Sequence, residues 1–470
     1  MKHKRSVLNE GQLWKVCGRL LLLLWLLPGC SLLPELPDLS ALPWPLSSTP
    51  TPTATPPPEQ SPTPLPPETP SVTPTTPAED LVLDLWVPGF LYGDVESRAA
   101  QTLSQQIDSY VRTRPNTHVR ISAKKNTGEG GILSLISTAI DVAPSIVPDV
   151  VVLNQHDLLV AADAGLLQPL DEALLSDAGY FPAALSAVTT TQGLWAFPYV
   201  AQAEQMAYAV GITDTPPLSW TAVLSGSYQM LFPAGPPEGV ATDALLAMYQ
   251  GAGGRTTDQA GQPTLDRTTL ERLYGFFMEM REAGLLDAET TLGLTDASAS
   301  WARYQEGVGQ LTPVPVGVFW ALPEPAESDA DAEDAESARR DSAPSWVPTP
   351  DGAPVVILHT WGLAILTDDP VRLEVALGLV EWLVGAQQLG ELTRAAGLVP
   401  TRQPAIRMWS LQTDELAFMD RLLLSGVRAC PPSIDLPVRR ALQAGLSALL
   451  LQEVASPEQA ASHALTNLRR

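Results

Sequence analysis

The chain has 470 residues, 52 of them acidic and 28 basic, giving a net charge of −24. With 45% hydrophobic and 17% charged residues it can bury a large core, and beyond about 250–300 residues a core divides, so two domains or lobes are expected. The acidic balance argues against nucleic acid, which needs clustered Lys and Arg, and against electrostatic docking on anionic lipid.

The N-terminus offers another route to a membrane. Lys2, Lys4, Arg5, Lys15 and Arg19 lead into the apolar run Leu20 to Leu27, which closes on Pro28-Gly29-Cys30. Eight residues are far short of the ~20 that span hydrocarbon. A short apolar core, small residues and then Cys resemble the lipobox of bacterial lipoproteins. That resemblance implies cleavage after residue 29 and a lipidated Cys30, with acyl chains as the anchor. The chain from Cys30 onward carries a charge of −28. Of three cysteines, Cys17 falls in the cleaved segment and Cys430 is left alone, so neither a disulfide nor a zinc quartet is expected.

Residues 30–79 form a second segment. Sixteen of the 45 prolines lie between Pro34 and Pro77, among Thr and Ser. This composition favours polyproline II at ~3.1 Å per residue and reads as a tether.

The globular pattern begins at residue 80. Leu81 to Trp86 reads as a strand, Val87 to Phe90 as a turn, Glu96 to Arg112 as a helix, and His118 to Ser122 as a second strand. Ile132 to Ala143 is an apolar helix. Asp149 to Leu153 is a continuous β-branched run, the mark of a strand covered on both faces. Asp157 to Ala164 is helical, and Pro370 to Val384 is a later helix. Strands alternating with helices predict parallel pairing and an α/β fold.

Several patterns then recur in a fixed order. Trp86 ends the first strand, Arg114-Pro115-Asn116 precedes the second, and Pro148-Asp149-Val150-Val151 opens the third. Gly165 to Leu170, Gly193 to Tyr199, Ser219-Trp220 and Tyr304 to Gly307 follow, then His359-Thr360-Trp361-Gly362 and Gly397 to Arg402. Together they resemble the extracellular solute-binding proteins of ABC importers, in the carbohydrate-type branch that includes maltose-binding protein. The resemblance implies a two-lobed periplasmic-binding fold (type II) with a ligand cleft between the lobes. Lobe 1 would comprise 80–200 and 346–404, lobe 2 would comprise 201–323 and 405–470, and an acidic insert would occupy 324–345. It further implies a carbohydrate solute and ABC permease partners, with a monomeric protein outside the cytoplasm. No cofactor, metal or chemistry is expected.

The expected solute contacts are Trp86 at the end of its strand, the loop Asn154, Gln155, His156 and Asp157, the hinge residues Gln202 and Glu204, and Trp361, read as sitting in a Gly-flanked turn before a strand. Aromatic faces would stack on sugar C–H surfaces while amides and carboxylates bond hydroxyls. Each has an ordinary structural counterpart: a core Trp for Trp86, a helix cap for Asp157, a solvated hinge for Gln202 and Glu204, and a packed Trp for Trp361. The chain departs from the family at Ala207-Tyr208-Ala209-Val210, where Tyr-Tyr-Asn is usual, and after Gly307, where a ligand loop is shortened.

Residues 324–345 hold eight acids, too polar a stretch to order itself. The five His show no metal-ligand spacing. Neither Gly128 to Gly131 nor Gly251 to Gly254 continues into a phosphate loop. The alternatives to a solute-binding protein are a sensor or scaffold lipoprotein of the same fold and a surface glycoside hydrolase using Glu204 with Asp157.

Overall fold

A computed structural model of the chain describes residues 80–321 and 341–469, apart from 177, 214 and 237. The expected leader, Cys30, the tether and most of the acidic insert lie outside the described residues; the end of that insert, Ser342–Ser345, is a paired strand and not the unordered segment expected.

Twelve strands follow in chain order: β1 Leu81–Pro88, β2 Thr117–Lys124, β3 Val150–Asn154, β4 Thr189–Thr190, β5 Gly193–Leu194, β6 Phe197–Gln202, β7 Glu204–Ala209, β8 Leu311–Pro315, β9 Ser342–Ser345, β10 Val356–Ile365, β11 Val399–Pro400 and β12 Gly426–Arg428. Seven of them form one mixed sheet in the order β11-β6-β10-β3-β1-β2, with β12 parallel to the start of β10. β1 runs parallel to β2 and β3, as the alternation of strands and helices predicts. β10 returns antiparallel between β3 and β6. The apolar residues Val150 to Leu153 are all buried, because helices cover both faces of this sheet.

The Pro148-Asp149 motif has a packing role. Asp149, 4% exposed, accepts a hydrogen bond from the Asp84 amide at 2.8 Å and two from Arg372, at 2.7 and 2.5 Å. Arg372 lies in the helix Pro370–Leu383, which Asp369 caps through the Val371 and Arg372 amides. One carboxylate thus ties β1, the entry to β3 and a late helix together. That is a way to bury a charge without leaving it unpaired.

A second, three-stranded antiparallel sheet has the order β8-β7-β9. Its hydrophobic core is separate, built from Met206, Tyr208 and the apolar faces of the helices Asp243–Gly251, Arg267–Glu282, Pro432–Leu450 and Pro457–Leu468. A smaller cluster gathers Ala201, Ala203, Trp346, Leu358 and Trp409. The two sheets and their cores form the two lobes. The chain crosses between them at Ala203, where β6 gives way to β7, again on the segment from β9 to β10, and a third time between β12 and the helix Pro432–Leu450.

Several sequence expectations change in detail. The first strand runs to Pro88, so Trp86 lies inside it, and Gly89–Tyr92 is one helical turn where a plain turn was expected. Trp361 is within β10 and not in a turn before a strand. Gly362 reads as a turn signal, but it is in the strand because the sheet is crowded there: a Cβ would meet Leu158 Cδ1 at 2.7 Å and Ala196 Cβ at 2.9 Å. The pairing of β10 with β6 shifts register between Trp361 and Gly362, a bulge that re-aims the Trp. Ala207 to Ala209 of the segment read as departing from Tyr-Tyr-Asn form the second half of β7, with Ala207 paired to Thr312 on one side and Pro344 on the other.

Candidate functional site

A cavity of about 430 Å³ opens beside the crossing at Ala203 and β10, within the 300–1,000 Å³ usual for small-molecule sites. Three elements build its polar side. β6 ends in Gln202, which is exposed, and Ala203 leads directly to Glu204 at the start of β7. His359 in β10 pairs in register with Gln202, so these neighbouring strands present side chains to the same space. Asp243 comes from the first position of the helix Asp243–Gly251, whose N-cap is Thr242. Ser298 adds a hydroxyl at the edge.

The opposite wall is apolar and close-fitting. Pro315, Gly317 and Val318 come from β8 and the short helix behind it, and Gly397 and Val399 from the turn into β11. The shortened stretch after Gly307 therefore leads straight into this wall. Trp361 contributes the aromatic surface and packs edge-on against Phe90, with ring centroids 5.1 Å apart and an interplanar angle of 74°.

The charges form a connected network. Arg439, 5% exposed, donates to Asp243 at 2.5 Å, to Asp435 at 2.6 Å and to the Ala241 carbonyl at 3.0 Å. His359 Nε2 is 3.0 Å from both Asp243 oxygens. Burial opposes ionisation of Asp243, but His359 and Arg439 outweigh it and hold the carboxyl well below its usual range. Burial also works against the charged form of His359, yet Asp243 prevails and raises its pKa. Glu204 behaves in the opposite way. Burial, reinforced by Asp243, pushes its carboxyl up to about 8, although its Oε2 accepts a 2.9 Å bond from the Ala244 amide. Two carboxyls in one cavity are thus held in different protonation states at neutral pH.

Three of the expected solute contacts, Gln202, Glu204 and Trp361, line this cavity. The other five do not. Trp86 is 8% exposed in the lobe core, with the Lys124 ammonium 4.8 Å from its ring centroid. Asn154 caps the helix Gln155–Asp163 by accepting from the His156 and Asp157 amides, both at 3.0 Å, and donates to Asp157 at 2.7 Å. Gln155 is buried and engaged at both ends: it donates to the Ala429 carbonyl at 2.6 Å and accepts from the Thr360 amide. His156 is half-buried on the same helix. Asp243, His359 and Arg439 were not singled out from the sequence. Thr242-Asp243 before an apolar run signals a helix start and Asp435 with Arg439 an i,i+4 pair, but neither pattern points to a cleft. Among the described residues no group of His, Cys, Asp and Glu could hold a metal ion.

Solved structures share this architecture. The cyclic alpha-maltosyl-1,6-maltose binding protein from Arthrobacter globiformis aligns with a TM-score of 0.62 at 15% identity, over 83% of this chain and 98% of that one. Maltose-bound T. maritima MalE3 gives 0.59 at 16%, over 83% and 99%, and the GacH receptor of Streptomyces glaucescens 0.57 at 16%, over 83% and 98%. The fold is that of the maltose-type solute-binding proteins. At such identities the likeness concerns the fold and does not extend to individual side chains. No protein-family model and no curated protein matches the chain. Within this solute-binding fold, the cavity described above lies beside the crossing at Ala203 and the strand β10.

Proposed function

We propose that the protein is the lipid-anchored, extracytoplasmic solute-binding component of an ABC importer, taking a sugar or oligosaccharide by lobe closure and leaving it chemically unchanged. The observation that carries this reading is the position of the cavity, bordered by the crossing at Ala203 and by β10, the strand that follows the second crossing, so that a guest there touches elements on which hinge motion turns. An aromatic face beside an amide, a carboxyl and an imidazole suits a polyhydroxylated ring. Structures of the same fold are named for the maltose-type ligands they bind. Cys30 supplies the anchor and residues 30–79 the tether. The lobes follow the two sheets, 80–202 and 356–428 with the first, 204–321, 342–347 and 432–469 with the second, in place of the bounds at 200, 346 and 404 suggested by the sequence.

Calorimetric titration of the purified protein against neutral mono- and oligosaccharides tests the reading. Saturable binding supports it. Silence across the panel defeats it and favours a sensor or scaffold of the same fold.

One observation favours a second reading. Glu204 and Asp243 share the cavity with their pKa values driven apart, the pattern that assigns acid and base in glycosidases. Turnover of an aryl glycoside, abolished by Glu204→Gln, would establish a surface hydrolase. Its partner would then be Asp243 in place of Asp157, which is engaged at its own helix start.

A further inference from the structure

The charges in the cavity bear on which solute it prefers. Glu204 and Asp243 both face it, and no Lys or Arg is among the described residues lining it. The two carboxyls differ in what balances them. Asp243 has Arg439 and His359 as counter-ions, and Arg439 is further occupied by Asp435 and the Ala241 carbonyl. Glu204 has the Ala244 amide and, among the described residues, no ion pair.

The charged groups facing Glu204 are Asp243 on the helix Asp243–Gly251, His359 on β10 and Arg439 on the helix Pro432–Leu450, with Asp435 beyond Arg439. The first repels a negative charge on Glu204, and the two cations are held by carboxylates of their own. A carboxylate withdrawn from water without a cation is costly and keeps its proton instead. The fold therefore places an acid at the cavity wall and leaves its positive partner to be supplied from within the cavity.

We propose that the cleft prefers a sugar-like solute carrying a basic nitrogen over its neutral isostere, with the Glu204 carboxylate receiving the cation and Trp361 the apolar face of the ring. This rests on the cavity being the solute site. On binding, the Glu204 O–H bond breaks, its proton passes to the buffer, and an N–H···O ion pair with the solute forms. The ammonium keeps its own protons, so one proton is released per solute bound.

The test is calorimetric titration of the full chain at pH 6.5 with two matched pairs, glucose against glucosamine and cellobiose against the β-1,4 glucosamine dimer. Each is repeated in two buffers of different ionisation enthalpy. The expected result is binding of the amino member about tenfold or more tighter, a difference of about 1.4 kcal/mol, with close to one proton released. Glu204→Gln should bring the members of a pair within about twofold of each other and abolish the release. Equal affinity for both members in the unmodified protein overturns the proposal and leaves the solute-binding reading standing, as does a preference that survives in Glu204→Gln. Failure of neutral and amino sugars alike overturns both.

Discussion

His359 Nε2 stands 3.0 Å from both carboxylate oxygens of Asp243, 116 residues away in sequence. The contact joins β10, in the sheet of the first lobe, to the first turn of a helix in the second lobe. Glu204, next to the crossing at Ala203, reaches the next amide of that same turn, Ala244. The crossing at Ala203 and β10 are therefore fastened to one helix N-terminus, where a carboxylate also complements the helix dipole.

Removing the centre of this network should be costly. Asp243→Asn leaves Arg439, with a side chain only 6% exposed, and His359 without their shared anion. Because Asp435 still pairs with Arg439, a loss at the lower end of the usual range for a broken buried pair is expected, about 3 kcal/mol. The midpoint and slope of urea unfolding check it.

Stability should fall as pH rises. The folded pKa of Glu204 is raised from 4.5 to about 8, so the folded state holds a proton that the unfolded chain has released throughout that window. The slope there is about −1.4 kcal/mol per pH unit at most. His359, also raised, adds a loss in the same direction above its unfolded value near 6.5, as pH passes through its folded value. Glu204→Gln should flatten the profile between pH 4.5 and 8 and be the more stable protein at pH 8. Thermal unfolding across pH 5–9 in both proteins would show this, and parallel profiles would count against it.

Gly317 and Gly397 meet across the cavity wall. A Cβ at Gly317 would overlap the Gly397 carbonyl and the Leu398 amide, which are backbone atoms that cannot swing aside. Gly317→Ala should therefore force the wall apart or cost on the order of 1–3 kcal/mol, as overpacking does. A lowered melting temperature or an increased radius of gyration by X-ray scattering is the expected readout.

Trp361 and Gln155 should separate in their effects. Trp361→Ala removes the aromatic face of the cavity, and solute affinity should drop about tenfold or more. Gln155→Ala leaves the Ala429 carbonyl without its donor and should cost about 1–3 kcal/mol of stability with solute affinity little changed. Measuring affinity and unfolding for both variants checks the division.

Much of the first lobe was legible before any coordinates. The β-branched run Val150 to Val152 and the apolar stretch Ile132 to Ala139 follow periods that burial imposes on a local segment, and they became a strand and a helix at nearly the expected bounds. Gln202, Glu204 and Trp361 lay in ordered patterns and reached the cavity. Trp361 was misread locally, because a Gly that relieves crowding against Leu158 looks the same in sequence as a Gly that makes a turn.

The amino-acid sequence by itself determined the alternation of strands and helices, the two-lobed arrangement its patterns resemble, and the acidic, cysteine-poor character of the chain. These depend on composition and on neighbours a few residues apart. Only the tertiary structure decided that Asp243, His359 and Arg439 form one network and that Glu204 lacks a counter-ion. Proximity of groups from 40 to more than 200 residues apart follows from how sheets and helices close on one another, and an ionisable group's protonation follows from what that closure places beside it.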